Sequence, residues 1–303
     1  CAIVLAQEGP VANMFRADLK REQALAESFL PIEIPATGSA PALHVYLSAG
    51  DLERAFDTPA LRPDAAIMPT NTALVITAAN PSTQRVLTQR VERQPQVMAD
   101  LLDQIAARRK AAPAGDGTVL QIGVDSFFAA LPRKGGSTTA RHNFPRMVCL
   151  IATGFATGGA VDRRELFSQD RVRKGVAGCL AAVDAAGAGT VMLPLLGAAS
   201  AQTQSKDPVY EGQRLLKECR HLNAAAGIAL GIRDFAPTRR TLREIGIVQW
   251  NREISEMFRG SRLARSAYRV YAEQIKRAVN KGIAGEKTTA ADMDGNCAAT
   301  FGA

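Results

Sequence analysis

Three short stretches of this chain hold residue types that can meet a polar, anionic ligand. Ser48-Ala49-Gly50-Asp51-Leu52 places a glycine directly before an aspartate. The glycine allows a tight turn, and the carboxylate can accept hydrogen bonds from an amino group. The same aspartate could equally cap a turn or a helix. Pro69-Thr70-Asn71-Thr72 carries an asparagine that either holds a hydroxyl or turns the chain by itself. Leu195-Leu196-Gly197-Ala198-Ala199-Ser200 is built of small residues, whose backbone N–H groups can approach a diphosphate. A fourth stretch, Gly154 to Gly159, is also rich in glycine, but its spacing does not match the G-x-G-x-x-G fingerprint.

Sets of residues for covalent or metal chemistry are thin. The histidines are His44, His142 and His221. His44 falls in a strand pattern and His221 in a helix pattern, which suits structural roles. His142 stands beside Arg141 and Asn143 in a polar stretch and is the one histidine placed to act. Its pairing with Cys149 as a dyad is opposed by the apolar strand around that cysteine. Cys1 would serve as a nucleophile only if processing exposed its amine. The five cysteines form no C-x-x-C pair, so no metal site and no cofactor is expected. There is no G-x-S-x-G elbow, P-loop or H-E-x-x-H.

The elements that must position these residues alternate in kind. Leu43 to Leu47, Ala65 to Met68, Leu74 to Thr77, Thr118 to Gly123, Arg146 to Ile151 and Gly189 to Leu193 read as strands, short and apolar as buried parallel strands are. Gly227 to Ile232 reads as the last strand. Gln96 to Lys110, Asp170 to Ala186 and Tyr210 to Asn223 carry apolar residues at helical spacing. Such alternation implies βαβ crossovers and a three-layer α/β/α domain around a mixed, mostly parallel sheet. Ligands of open α/β sheets bind beyond the carboxyl ends of strands, and the three stretches above each follow a strand.

The flanks differ from this core. Residues 1–38 form an N-terminal extension with an amphipathic helix, stopped by Pro31 and Pro35, and Thr37-Gly38-Ser39 reads as a linker. Residues 39–240 form the α/β domain. Residues 241–303 form a basic helical extension and tail. There Leu263, Ala267, Tyr271, Ile275 and Ala278 make an apolar stripe, and Arg262, Arg265, Arg269 and Lys276 lie on another face. That face is either solvated or meets an anionic partner, RNA or phospholipid. A net charge of +8 favours anionic partners, and 5% aromatic content argues against stacking surfaces for sugars or single strands. The longest apolar candidate, Val176 to Ala201, contains Asp184, four glycines and Pro194, so no transmembrane segment is expected. The expected location is cytoplasmic, with export as the alternative if residues 1–6 are the remnant of a signal peptide or a lipid-modified start.

In order, three pieces resemble the macro domain, an ADP-ribose-binding fold. They are Gly50-Asp51-Leu52, then Asp64-Ala65-Ala66-Ile67-Met68-Pro69-Thr70-Asn71, then Leu193-Pro194-Leu195-Leu196-Gly197-Ala198-Ala199. Ile228 to Phe235 looks like that family's last strand and its aromatic step toward the ligand. The resemblance covers about two-thirds of the chain and implies a cleft for ADP-ribose or a related nucleotide diphosphate. It assigns the adenine amino group to Asp51, with Leu52 beside it and Asp64 as the other candidate. Asn71 would approach the distal ribose. Gly197, Ala198, Ala199 and Ser200 would cradle the diphosphate, and Phe235 would cover the adenine. Family members that hydrolyse ADP-ribose linkages carry a glycine-rich loop after the asparagine, yet Thr72 to Gln84 has no glycine. Ala199 also stands where a second glycine is expected. The resemblance therefore implies binding without catalysis. The alternatives are an ADP-ribosyl hydrolase, in which Asn71 or Asp64 would activate water, and a scaffold with a degenerate pocket.

Overall fold

In a computed structural model, the structure describes residues 32–48, 63–71, 103, 106–107, 119–123, 145, 147–154, 169–195, 210–248 and 276–287. Seven strands form one sheet: β1 Ile32–Ile34, β2 Leu43–Ser48, β3 Ala65–Asn71, β4 Val119–Gly123, β5 Met147–Gly154, β6 Thr190–Pro194 and β7 Glu244–Val248. Their order across the sheet is β1-β2-β7-β6-β3-β5-β4. The inner five run parallel, while β1 and β4 are antiparallel edges. Helix α1 (Gln169–Ala185) joins β5 to β6, and α2 (Tyr210–Phe235) joins β6 to β7. Residues 276–284 form a third helix, α3. The fold is α/β with a mixed, mostly parallel sheet.

The sheet draws a strand from each flanking block. β1 comes from residues 1–38 and β7 from residues 241–303. The expected domain boundaries at 38/39 and 240/241 therefore fall inside the span of the sheet. The stretch read as a linker is a hairpin turn: Thr37 and Ala40 exchange backbone hydrogen bonds at 3.2 and 3.0 Å, and Gly38 takes a left-handed φ of 59°. That conformation is one glycine adopts without a steric cost. The buried Arg239 fixes this turn. It donates from Nε to Pro41 O at 2.6 Å, from Nη2 to Pro35 O at 2.7 Å, and from Nη1 to Ala236 O. Burial pulls its pKa down.

One expectation is overturned in kind. Gly227–Ile232 is not a strand but part of α2, which runs unbroken to Phe235. Residues 224–232 are buried on every side, so no apolar face stands out from the sequence. Two neighbours come unusually close to them. A Cβ at Gly227 would lie 2.7 Å from Val172 Cβ and 2.8 Å from the Gln169 carbonyl oxygen, and one at Gly231 would lie 2.7 Å from the Arg173 carbonyl oxygen. On another side, a Cβ at Gly282 of α3 would meet Ala229 Cβ, with the Ala226 carbonyl oxygen at 3.1 Å. Glycines thus let three helix backbones approach at both interfaces.

α3 is docked through the buried Ala278 and Val279, while Arg277 is exposed. This matches the expected apolar stripe at Ala278; Leu263, Ala267, Tyr271 and Ile275 lie outside the described residues, as do Arg262, Arg265 and Arg269. Beside α3, Lys287 pairs with Asp170 at 3.1 Å, and Arg173 holds Asp234 through two nitrogens. These pairs are exposed, and each contributes about 0–1 kcal/mol. Asp103, Ala106 and Ala107 are helical and exposed, as the outer face of the helix expected over Gln96 to Lys110 would be. The strand expected at Leu74 to Thr77 and the N-terminal helix lie outside the described residues. Among the described residues no helix is long and apolar enough to cross a membrane.

Asp184 anchors the approach to β7. Its buried carboxylate accepts hydrogen bonds from the backbone N–H groups of Arg240 (2.9 Å), Thr241 (2.8 Å) and Leu242 (2.8 Å), and from Thr241 Oγ1 (3.0 Å). Burial pushes its pKa up, but these hydrogen bonds outweigh that effect and hold it below the ordinary carboxylate value.

Two outcomes are expected. Gly231→Ala destabilises the fold by about 1–3 kcal/mol in a denaturant melt, because the overpacking outweighs the gain in helix propensity. Asp184→Ala costs about 1–3 kcal/mol, since the buried Leu242 N–H and two half-buried N–H groups lose their acceptor. The Asp184 contribution is complete above the ordinary carboxylate pKa of about 3.9 and is lost as pH falls through the depressed native value. Asp184→Asn should therefore flatten the acid limb of a stability–pH curve.

Candidate functional site

The inner five strands end along one edge of the sheet, at Ser48, Val248, Pro194, Asn71 and Gly154 in spatial order. From β6 the chain passes to β7, on one side; from β3 it passes toward β4, on the other. Adjacent strands whose connections leave in opposite directions mark a topological switch point, where a crevice opens beyond the carboxyl ends. Here the switch point lies between β6 and β3.

The pairing of these two strands stops early. β3 and β6 share only two register pairs, Ala65 with Val191 and Ala66 with Met192. β3 then continues from Ile67 to Asn71, and β6 through Leu193 to Pro194. Each strand stays paired on its other side: β3 with β5 as far as Asn71 and Gly154, β6 with β7 as far as Pro194 and Val248. The sheet is therefore two well-paired parts joined by a short hydrogen-bonded seam, and the ladder between them stops short of the carboxyl edge. Pro69 and Pro194 lie on the two sides of the gap. Neither has an N–H to donate, which is why proline is normally kept to edge strands and bulges.

Asn71 ends β3 at an irregularity. Thr70 pairs with Ala152, but Asn71 pairs with Gly154, so the register shifts by one residue. Bulges of this kind redirect a side chain and are common beside binding sites. β3 was expected to end at Met68; it continues through Pro69 because its ladder to β5 persists.

Of the other candidates, Asp51, Leu52, Gly197, Ala198, Ala199 and Ser200 lie outside the described residues, three or more positions past the ends of β2 and β6. Leu195, which leads toward Gly197, is buried. Phe235 is not at this edge. It ends α2, the helix that carries the chain back from the carboxyl end of β6 to the start of β7, and it is buried in the core. It cannot cover a ligand in the crevice. The last strand is β7, which sequence reasoning missed because Glu244 and Gly246 interrupt its apolar pattern; alternation of Ile245 and Ile247 was the signal available.

Asp64 is also at the far edge. It precedes β3, and its carboxylate accepts hydrogen bonds from Gly189 N (2.9 Å), Thr190 N (3.1 Å) and Thr190 Oγ1 (3.3 Å). Its own N–H donates to Thr190 Oγ1 at 2.8 Å. It is therefore removed both as an adenine acceptor and as an activator of water in the crevice.

Cys149 is buried in β5, and burial pushes its thiol up to about 12. Cys179 of α1 is also raised well above the ordinary thiol value, by burial and then by the nearby Cys149. A nucleophile needs a thiolate, so neither serves as one; His142 lies outside the described residues. Among the described residues no group of three His, Cys, Asp or Glu side chains could hold a metal ion.

Macrodomains are among the solved structures to which this chain is similar. A mutant macrodomain from Oceanobacillus iheyensis is 10% identical, with 83% of this chain and 99% of that one covered and a TM-score of 0.47. The macrodomain of the same organism with ADP is 11% identical, with 84% and 98% covered and a TM-score of 0.40. A mutant leucine aminopeptidase from tomato is 12% identical, with 80% of this chain and 38% of that one covered and a TM-score of 0.37. No protein-family model and no curated protein matches the sequence.

Thiol labelling checks the reading of the two cysteines. With Cys1, Cys219 and Cys297 replaced by serine, a thiol reagent at neutral pH should modify Cys149 and Cys179 only at the rate of unfolding. Rapid labelling of the native protein would reopen a reactive-cysteine role.

Proposed function

We propose that this chain binds ADP-ribose or a related nucleotide diphosphate across the carboxyl edge of its sheet, without hydrolysing it. The observation that carries the reading is the early end of β3–β6 pairing at the switch point, where open α/β sheets hold ligands and where the order of motifs calls for one. Asn71 stands on one wall of that crevice, and the chain leading to Gly197 leaves from the other. Asp51 follows β2, two strands beyond β6 in the order β2-β7-β6-β3. Neighbouring strands lie about 4.8 Å apart, so the ends of β2 and β3 are separated by about 14 Å. An elongated ligand suits this spacing, with its adenine over β2, its diphosphate over the small residues 197–200, and its distal ribose toward Asn71.

The aromatic role moves with the last strand. Because β7 closes the sheet, the aromatic residue following it in sequence is Trp250, two residues past Val248 and the chain's one tryptophan. We assign the adenine cover to Trp250 in place of Phe235. The absence of catalysis is supported by the position of Asp64 at the opposite edge, which leaves Asn71 alone of the two groups named for activating water. It is further supported by the lack of glycine from Thr72 to Gln84.

Calorimetric titration with ADP-ribose tests this reading. Micromolar binding is expected, weakened at least tenfold, or about 1.4 kcal/mol, by Asp51→Ala. The same titration should change the fluorescence of Trp250. Absence of binding by the native chain would refute the assignment for this ligand, and steady release of free ADP-ribose from a modified protein would refute the non-catalytic part.

A further inference from the structure

We propose that Asp64 is a positioning residue: its carboxylate pins the seam between the two parts of the sheet and so sets the width of the crevice at their far ends. The consequence for a ligand rests on the function proposed above; the mechanical part does not.

The seam is short. β1, β2, β7 and β6 form one paired set and β3, β5 and β4 the other, and two register pairs join them within the sheet. Asp64 lies immediately before the first of those pairs. Its side chain crosses to the start of β6, taking hydrogen bonds from Gly189 N, Thr190 N and Thr190 Oγ1, while its N–H returns one to the same hydroxyl. Its carbonyl oxygen accepts from Met147 N of β5 at 3.1 Å. One residue thus ties β3 to both neighbours where they begin. Hydrogen bonds to a carboxylate are stronger than those between neutral groups, so this is a firm attachment. The approach is also close: a Cβ at Gly189 would stand 3.3 Å from Asp64 Oδ2.

The geometry gives the attachment leverage. Asn71 is seven positions along β3, or about 23 Å at the rise of a strand. Asp64 is therefore too far away to touch a ligand beside Asn71. Beyond Ala66 and Met192 no ladder holds β3 against β6, so a small change of angle at the seam becomes a larger change of separation at the carboxyl edge. Positions in a binding site must be held within about 0.5 Å, so such a change would be felt as affinity.

The test compares Asp64→Asn and Thr190→Val with Asp184→Asn. Thr190→Val removes only the hydroxyl and leaves the Asp64 bonds to Gly189 N and Thr190 N in place, so it provides a folded variant should Asp64→Asn not fold. Asp184→Asn weakens a different attachment at the same edge of the sheet. Hydrogen exchange is measured first, without ligand. The two seam variants should speed exchange at least fivefold at residues 67, 68, 70, 71, 193 and 195, and Asp184→Asn should not. Titration with ADP-ribose at a temperature where all are folded should then show binding about tenfold weaker in the seam variants and native affinity in Asp184→Asn. A purely structural role for Asp64 would lower the melting temperature and leave both readouts at the native value, which would overturn the proposal. If the native chain does not bind ADP-ribose, exchange alone decides: unchanged rates at the carboxyl ends overturn the pin, and raised rates uphold it with a different ligand in view.

Discussion

A parallel strand pair that ends after two register positions leaves backbone groups on both strands without the partners a sheet would supply. In the middle of a sheet this is a costly arrangement, because buried N–H and C=O groups need hydrogen bonds. Here the sequence lessens that cost locally. Pro69 and Pro194 remove one N–H from each side of the gap. The unpaired ends of β3 and β6 lie at the switch point, the part of an open α/β sheet where ligands are held.

A sheet divided in this way must be held together elsewhere. The seam of Asp64, Gly189 and Thr190 does so within the sheet. The helices do so above it, since α1 packs against β5 and also against α2, which leads to β7. The close approach of α1 and α2 at Gly227 and Gly231 is thus more than filling of a core. It fastens α1, which packs on β5 and β4, to the helix that leads into β7, while α3 covers α2 from another side at Gly282. Asp184, at the end of α1, separately fixes the chain that enters β7.

Much of this was legible in the sequence, for a physical reason. Strands β2, β3, β5 and β6 are short apolar runs between turn signals, and α1 repeats its apolar residues at helical spacing, so alternation and parallel pairing could be read directly. Asn71 was found at the end of its strand because the motif around it is a strand followed by polar residues. Illegible were the places where burial removes periodicity. Residues 224–232 are packed on all sides, so helix and strand leave the same apolar trace, and length was the better guide: the run continues from Tyr210 without a break. Misreading it also displaced Phe235, hid β7, and left Trp250 out of account. Asp64 was read as a ligand candidate because its sequence neighbours resemble a binding motif, yet it stands at the opposite end of the strand from the carboxyl edge.

The claim on which the rest depends is that the ligand lies over the parted ends of β3 and β6. Hydrogen-exchange mapping of the native chain with and without ADP-ribose tests it most directly. Slowed exchange is expected at residues 70, 71, 193 and 195, and none at residues 239–243 on the opposite edge. Protection confined to residues 239–243 or to residues 276–287 of the C-terminal helix would contradict it.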